Sequence, residues 1–101
     1  MTTETITRPK IQVNPKVKEP SLFNVYIMDD NKTTFEFVMI TLTEQYGQSV
    51  ERAEEVTLDV HHKGRGLAGT FPFEIAETKA SETHIAATAA GFPLNATVEE
   101  A

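Results

Sequence analysis

Residues 25–37 read VYIMDDNKTTFEF, from Val25 to Phe37, and their reading decides the fold. The apolar run Val25-Tyr26-Ile27-Met28 has the β-branched and aromatic content of a buried strand. It stops at Asp29-Asp30-Asn31, which is turn chemistry built from carboxylate and amide acceptors. Thr33 with Glu36 three residues later reads as a capping box that opens a helix. A strand, an acidic turn and a helix start therefore sit within 13 residues. Such a junction fixes several hydrogen-bond acceptors at the mouth of a small domain. Taken by itself it reads first as an ordinary acidic strand-to-helix turn.

Outward from this junction, the first strand is expected from Phe23 to Asp29 and the first helix from Thr34 to Gln45. Phe35, Val38, Met39, Leu42 and Tyr46 follow the spacing of one helix face, and Phe37 and Ile40 widen it. Gly47 is placed as its C-cap. Ser49 is the expected N-cap of a second helix, with Glu51 and Glu54 near its positive end. Its inner stripe is Val50, Ala53, Val56 or Thr57, and Val60. His61, His62 and Lys63 precede Gly64, as the negative end of a helix favours, so the histidine pair has a complete structural explanation. Arg65 to Phe71 reads as a strand whose glycines, Gly66 and Gly69, let the backbone pass close to a neighbour. Helix three spans Pro72 to Ala90, with Phe73, Ile75, Ala76, Ala80, Ile85 and Ala86 among its apolar positions. Gly91, Phe92 and Pro93 close it, and Leu94 to Glu99 forms a last strand. The order β-α-α-β-α-β predicts an α+β domain, a three-stranded antiparallel sheet packed against three helices on one face.

At 101 residues the chain has room for one domain. Residues 1–20 hold three of the five prolines and no sustained apolar period; they read as a flexible extension, solvated or gripped by a partner, before a core domain at 21–101. The net charge of −6 argues against a nucleic-acid backbone as partner. The absence of cysteine excludes disulfides, thiol nucleophiles and cysteine zinc sites. No apolar run approaches the roughly 18 residues of a membrane span, and no signal-peptide layout is seen at the N-terminus. A cytoplasmic monomer without cofactor is expected.

Three chemistries compete for Asp29, Asp30, His61 and His62. Hydrolysis by Asp30 and His61 lacks a nucleophile motif. A metal site is disfavoured because adjacent helix positions such as 61 and 62 do not face one another. Acceptors around a small pocket suit a cation with several N–H donors, and a free α-amino group is one. The side chain that follows it would need an apolar socket, which the inner faces of the first two helices can supply.

The same residues bring a family into view. EPSLFNVYIMDDN, FEFV, VERAEEVTLDVHHKGRG, FEIAETKA and PLNATVEEA stand in register over residues 19–101, and the chain resembles ClpS, the adaptor that delivers N-degron substrates to the Clp unfoldase–protease. The resemblance implies a non-enzymatic adaptor that binds free N-termini beginning with Leu, Phe, Tyr or Trp. It implies a ClpA- or ClpC-type AAA+ unfoldase as partner, through its N-terminal domain, with degradation by ClpP; a plastid stroma or a phage-infected host stays open as the compartment. It assigns the amine and first peptide unit to Asp29, Asp30, Asn31, Thr33 and His61, and the side-chain pocket to Phe35, Val38, Thr57, Val60 and Leu94. Glu74 and Lys79 fall on the unfoldase-docking helix.

Three departures stand out. The family's Asn-Asp-Asp turn reads Asp29-Asp30-Asn31, Phe35 replaces a gate methionine, and Thr57 replaces a lining methionine. The threonine is expected to make that wall smaller and more polar. A different class of protein remains as the alternative: an unfoldase-binding regulatory module whose N-degron specificity is altered or lost. The similar domain at the C-terminus of the ribosomal stalk protein shows that this general fold can dock other machinery.

Overall fold

The computed structural model describes residues 21–101, so the expected extension at 1–20 lies outside the described residues. The elements are β1 (Leu22–Met28), α1 (Phe35–Glu44), α2 (Val50–Lys63), β2 (Arg65–Pro72), α3 (Phe73–Ala90) and β3 (Asn95–Glu100). The order β-α-α-β-α-β is the expected one. The three strands form one antiparallel sheet, β2-β1-β3, with β1 central.

Alternation along β1 places Val25 and Ile27, both without solvent exposure, on the inner face of the sheet. Ala96 of β3 and Ala68 of β2 join them there. Ala68 is the extra residue of a bulge, since Val25 pairs with Gly69 while Tyr26 pairs with Leu67. Against this face lie Ala53, Val56 and Val60 of α2 and Ala76, Ala80 and Ala87 of α3. Gly66 is where α2 comes closest: a Cβ there would lie 2.6 Å from the Val56 carbonyl oxygen and 2.9 Å from Val60 Cγ2. That contact is what the glycine-rich stretch makes room for.

Helix boundaries follow local chemistry, with corrections. Thr34, not Thr33, caps α1, its hydroxyl accepting from Phe37 N at 3.1 Å. Two adjacent threonines can both cap, and the turn takes Thr33 for another purpose. The C-cap of α1 is Gln45, while Gly47 takes φ +67° beyond it. Ser49 caps α2 as expected, and Gly64 and Gly91 end α2 and α3 in the left-handed conformation.

Burial differs from the expected stripes where size and position conflict. Ile40 is 49% and Val50 64% exposed, both outside the core. On α3 the large apolar residues Phe73, Ile75 and Ile85 face outward, while Ala76, Ala80, Thr83 and Ala87 face in. Small residues on the inner face let α3 lie close to the sheet. Phe92, after Gly91, packs back on Phe37 with ring centroids 5.0 Å apart.

Candidate functional site

The turn after β1 gives its two aspartates different surroundings. Asp30 Oδ1 accepts from the backbone N–H groups of Lys32 at 2.8 Å and Thr33 at 2.7 Å, and its Oδ2 accepts from the Thr33 hydroxyl at 2.7 Å. Burial pushes the Asp30 carboxyl up, but these hydrogen bonds, with a smaller contribution from the nearby His61 charge, hold it below its ordinary value. Both oxygens are thereby engaged in shaping the turn, and Thr33 is buried beneath it.

Asp29 faces α2 instead. Its backbone N–H donates to the Gly64 carbonyl at 3.0 Å, which ties the end of β1 to the end of α2. Its Oδ1 lies 3.6 Å from His61 Nδ1, and both side chains are 38% exposed. Asn31 is exposed beside it.

His61 reaches this position because α2 ends there. Thr57 and His61 lie one turn apart on one face of α2, as Phe35 and Val38 do on α1, while Val60 turns into the core. The two faces meet. The Phe35 ring stacks on the His61 imidazole at 7° with centroids 5.8 Å apart. On the same helices Val38, Thr57 and Val60 are at most 3% exposed, and Leu94, just before β3, is 4% exposed. The site thus joins a polar edge (Asp29, Asn31, His61) and the stacked Phe35 ring to buried apolar positions of the same helices. The Thr57 hydroxyl donates to the Ala53 carbonyl at 2.7 Å. Its polarity is therefore satisfied within its own helix, and the wall is smaller without the hydroxyl being free to meet a guest.

Glu74 and Lys79 are not brought together. Five residues apart, they stand about 140° apart around α3. Glu74 is exposed, whereas Lys79 Nζ donates to the Gln45 carbonyl at 2.7 Å. Around that bond lies a network the sequence did not announce. Tyr46 Oη is 2.7 Å from Thr83 Oγ1 and donates to the Lys79 carbonyl at 3.2 Å. Gln48 Nε2 donates to the Leu67 and Ala68 carbonyls at 3.3 and 2.8 Å, at the bulge of β2. Burial pushes the Tyr46 hydroxyl up; its bond to Thr83 opposes this and the Glu82 charge adds to it. Nor did any local signal mark the Gly64 carbonyl as the anchor of Asp29.

Among the described residues no group of three or more His, Asp or Glu is arranged to hold a metal ion, and no helix is long and apolar enough to cross a membrane.

Comparison with known proteins agrees on one family. Residues 18–97 match the family described as ATP-dependent Clp protease adaptor protein ClpS. The ClpS adapter of Lawsonia intracellularis is 40% identical over 92 residues, covering 91% of this chain and 84% of that protein. The ClpS adapter of Campylobacter jejuni strain RM1221 is 38% identical over 94 residues, covering 91% and 98%. Among solved structures, Agrobacterium tumefaciens ClpS2 bound to L-phenylalaninamide matches with a TM-score of 0.79 and 32% identity, over 82% of this chain and 100% of that one.

Proposed function

The chain belongs to the ClpS family of Clp protease adaptors, and from that premise we propose that it captures proteins by a free N-terminus with a bulky hydrophobic first residue. It then hands them to a ClpA- or ClpC-type AAA+ unfoldase for degradation by ClpP, without chemistry of its own. The observation that carries this reading is the meeting of Asp29, Phe35 and His61, on two helices whose positions Val38, Thr57 and Val60 are buried. L-phenylalaninamide, the compound bound by the Agrobacterium relative, has the matching parts: an α-amine, a benzyl side chain and an amide where the next peptide bond would be.

On this reading Asp29, Asn31 and His61 surround the α-ammonium, and Asp30 with Thr33 holds the turn at the first peptide unit. Phe35, Val38, Thr57, Val60 and Leu94 receive the first side chain. Burying a Leu or Phe contributes about 1.5–3 kcal/mol, and a charge-assisted hydrogen bond to the ammonium about 1.5–3 kcal/mol. Both are needed, so specificity requires a free amine and an apolar side chain together. Glu74 is the carboxylate α3 presents to the unfoldase, and Lys79, on another side of the helix, supports that helix through its bond to Gln45.

Fluorescence anisotropy with peptides beginning Leu, Phe, Tyr, Trp and Ala, each free and N-acetylated, tests the reading. The expected result is binding of the first four as free amines and a loss of at least about tenfold on acetylation. Equal affinity of acetylated and free peptides defeats the amine mechanism. Capture of an unfoldase N-terminal domain without any peptide binding supports instead the regulatory module with altered or lost N-degron specificity.

A further inference from the structure

We propose that His84 is a positioning residue: from α3 it holds the entry of β3, and through that entry Leu94, and so takes part in choosing which first side chain is accepted. The inference rests on the reading above, in which Leu94 lines the socket for that side chain. It gives a role to a ring that neither the amine grip nor the docking of α3 uses.

β3 is an edge strand, paired only with β1. Alternate residues of such a strand turn their N–H away from the neighbouring strand, where it stands open to solvent or to another chain. Ala96 does not leave its N–H open. It donates to His84 Nε2 at 3.1 Å, and the Asn95 side-chain amide stands 2.7 Å from the same nitrogen. Among the described residues these are the only side-chain hydrogen bonds between α3 and β3.

To accept from Ala96, Nε2 must keep its lone pair, which places the ring proton on Nδ1. The Asn95 amide can turn its amino group to the same lone pair, so both contacts ask for one tautomer. The ring is exposed, whereas Ala96 is 5% and Leu94 4% exposed. A surface side chain thus secures a buried stretch of chain.

Leu94 sits between two ties to α3. Before it, the Phe92 N–H donates to the Ala87 carbonyl at 2.8 Å. After it, His84 holds Asn95 and Ala96. Pairing with β1, from Asn95 onward, sets the register of the strand; His84 sets how closely its entry lies to α3. Leu94 belongs to the same buried cluster as Val38 of α1 and Val60 of α2. A shift of this entry therefore reshapes the apolar socket and leaves the amine contacts of Asp29 and His61 as they are.

The test separates side-chain choice from overall affinity. Free-amine peptides beginning with Leu, Phe and Trp, otherwise identical, are titrated into the wild-type chain, His84→Leu and His84→Gln, and exchange of the Ala96 amide hydrogen is followed by NMR. His84→Leu keeps a bulky side chain and removes the acceptor, whereas His84→Gln supplies a carbonyl oxygen with similar reach. In His84→Leu the Ala96 amide should exchange about tenfold faster. Affinity for the Leu peptide should fall about three- to tenfold relative to the Trp peptide, because the smaller side chain depends more on a closely placed wall. His84→Gln should restore both. An unchanged Leu-to-Trp ratio in His84→Leu, with affinity for all three peptides lost together or not at all, overturns the proposal and leaves the adaptor reading intact. So does an Ala96 amide whose exchange is unmoved, or a ratio that His84→Gln fails to restore. A wild-type chain that binds none of the peptides overturns the adaptor reading, and the proposal with it.

Discussion

Where α2 ends, the side chains of Asp29, Asn31 and His61 are exposed and loosely engaged, the polar contact between Asp29 and His61 being 3.6 Å. Where α1 ends, Gln45, Tyr46, Lys79 and Thr83 are knitted together by hydrogen bonds of 2.7–3.2 Å. The two regions lie at opposite ends of the same helix, α1, and contain similar numbers of polar groups. Partnership separates them. Polar groups that find partners inside the protein hold it together, and polar groups left with hydrogen-bonding capacity are available to a ligand. Lys79 shows why composition alone cannot make this distinction: it is a cation on a docking helix by sequence, yet its ammonium caps the carbonyl end of α1.

The largest effect is expected at neither end but in the frame that joins them. Gly66→Val forces atoms against Val56 and Val60, where even a Cβ would sit within 2.9 Å. It should cost about 3 kcal/mol in urea unfolding, and affinity should fall with it because displacing the end of α2 moves His61.

Next, Tyr46→Phe removes the hydroxyl's bonds to Thr83 and the Lys79 carbonyl and should cost about 1 kcal/mol, while peptide affinity stays unchanged. A loss of affinity without a loss of stability in this variant would break the comparison.

Asp30→Ala removes a turn-forming acceptor and should cost about 1 kcal/mol, as loss of a cap does. The sign with pH is fixed. The folded-state pKa lies below the ordinary 3.8, so the contribution is complete above that value and is lost as pH falls through the lower folded value. Acid titration of wild type and variant should therefore converge at low pH and part above it.

The smallest effect on stability belongs to His61→Ala, within about 0.5 kcal/mol, as expected for an exposed side chain. Its affinity for a free-amine peptide should nevertheless fall at least about tenfold. That inversion, little stability and much binding, is the sharpest form of the contrast with Tyr46.

What the sequence made legible was mostly local. The strand-to-turn switch at Asp29, the Ser49 cap and the glycine stops at 64 and 91 depend on neighbours within a few residues, and they stand where expected. The inward face of α3 was harder, because its buried positions hold Ala and Thr while Phe73, Ile75 and Ile85 lie outside, so hydrophobicity and burial point to different sides. The Tyr46–Thr83 and Lys79–Gln45 contacts span 37 and 34 positions, and no periodicity encodes them. For the site, the family motif named Asp29, Asp30 and His61 together. The different surroundings of the two aspartates depend on a contact no motif encodes, the bond from Asp29 N–H to the Gly64 carbonyl.

That last bond has an entropic consequence. Asp29 and His61 are distant in sequence, but the 3.0 Å link from Asp29 N–H to the Gly64 carbonyl makes the ends of β1 and α2 one rigid piece. The loss of freedom needed to bring the two side chains together is incurred when the chain folds. On the proposed reading, an N-terminus bound between them would meet groups already positioned and would surrender mainly its own motion.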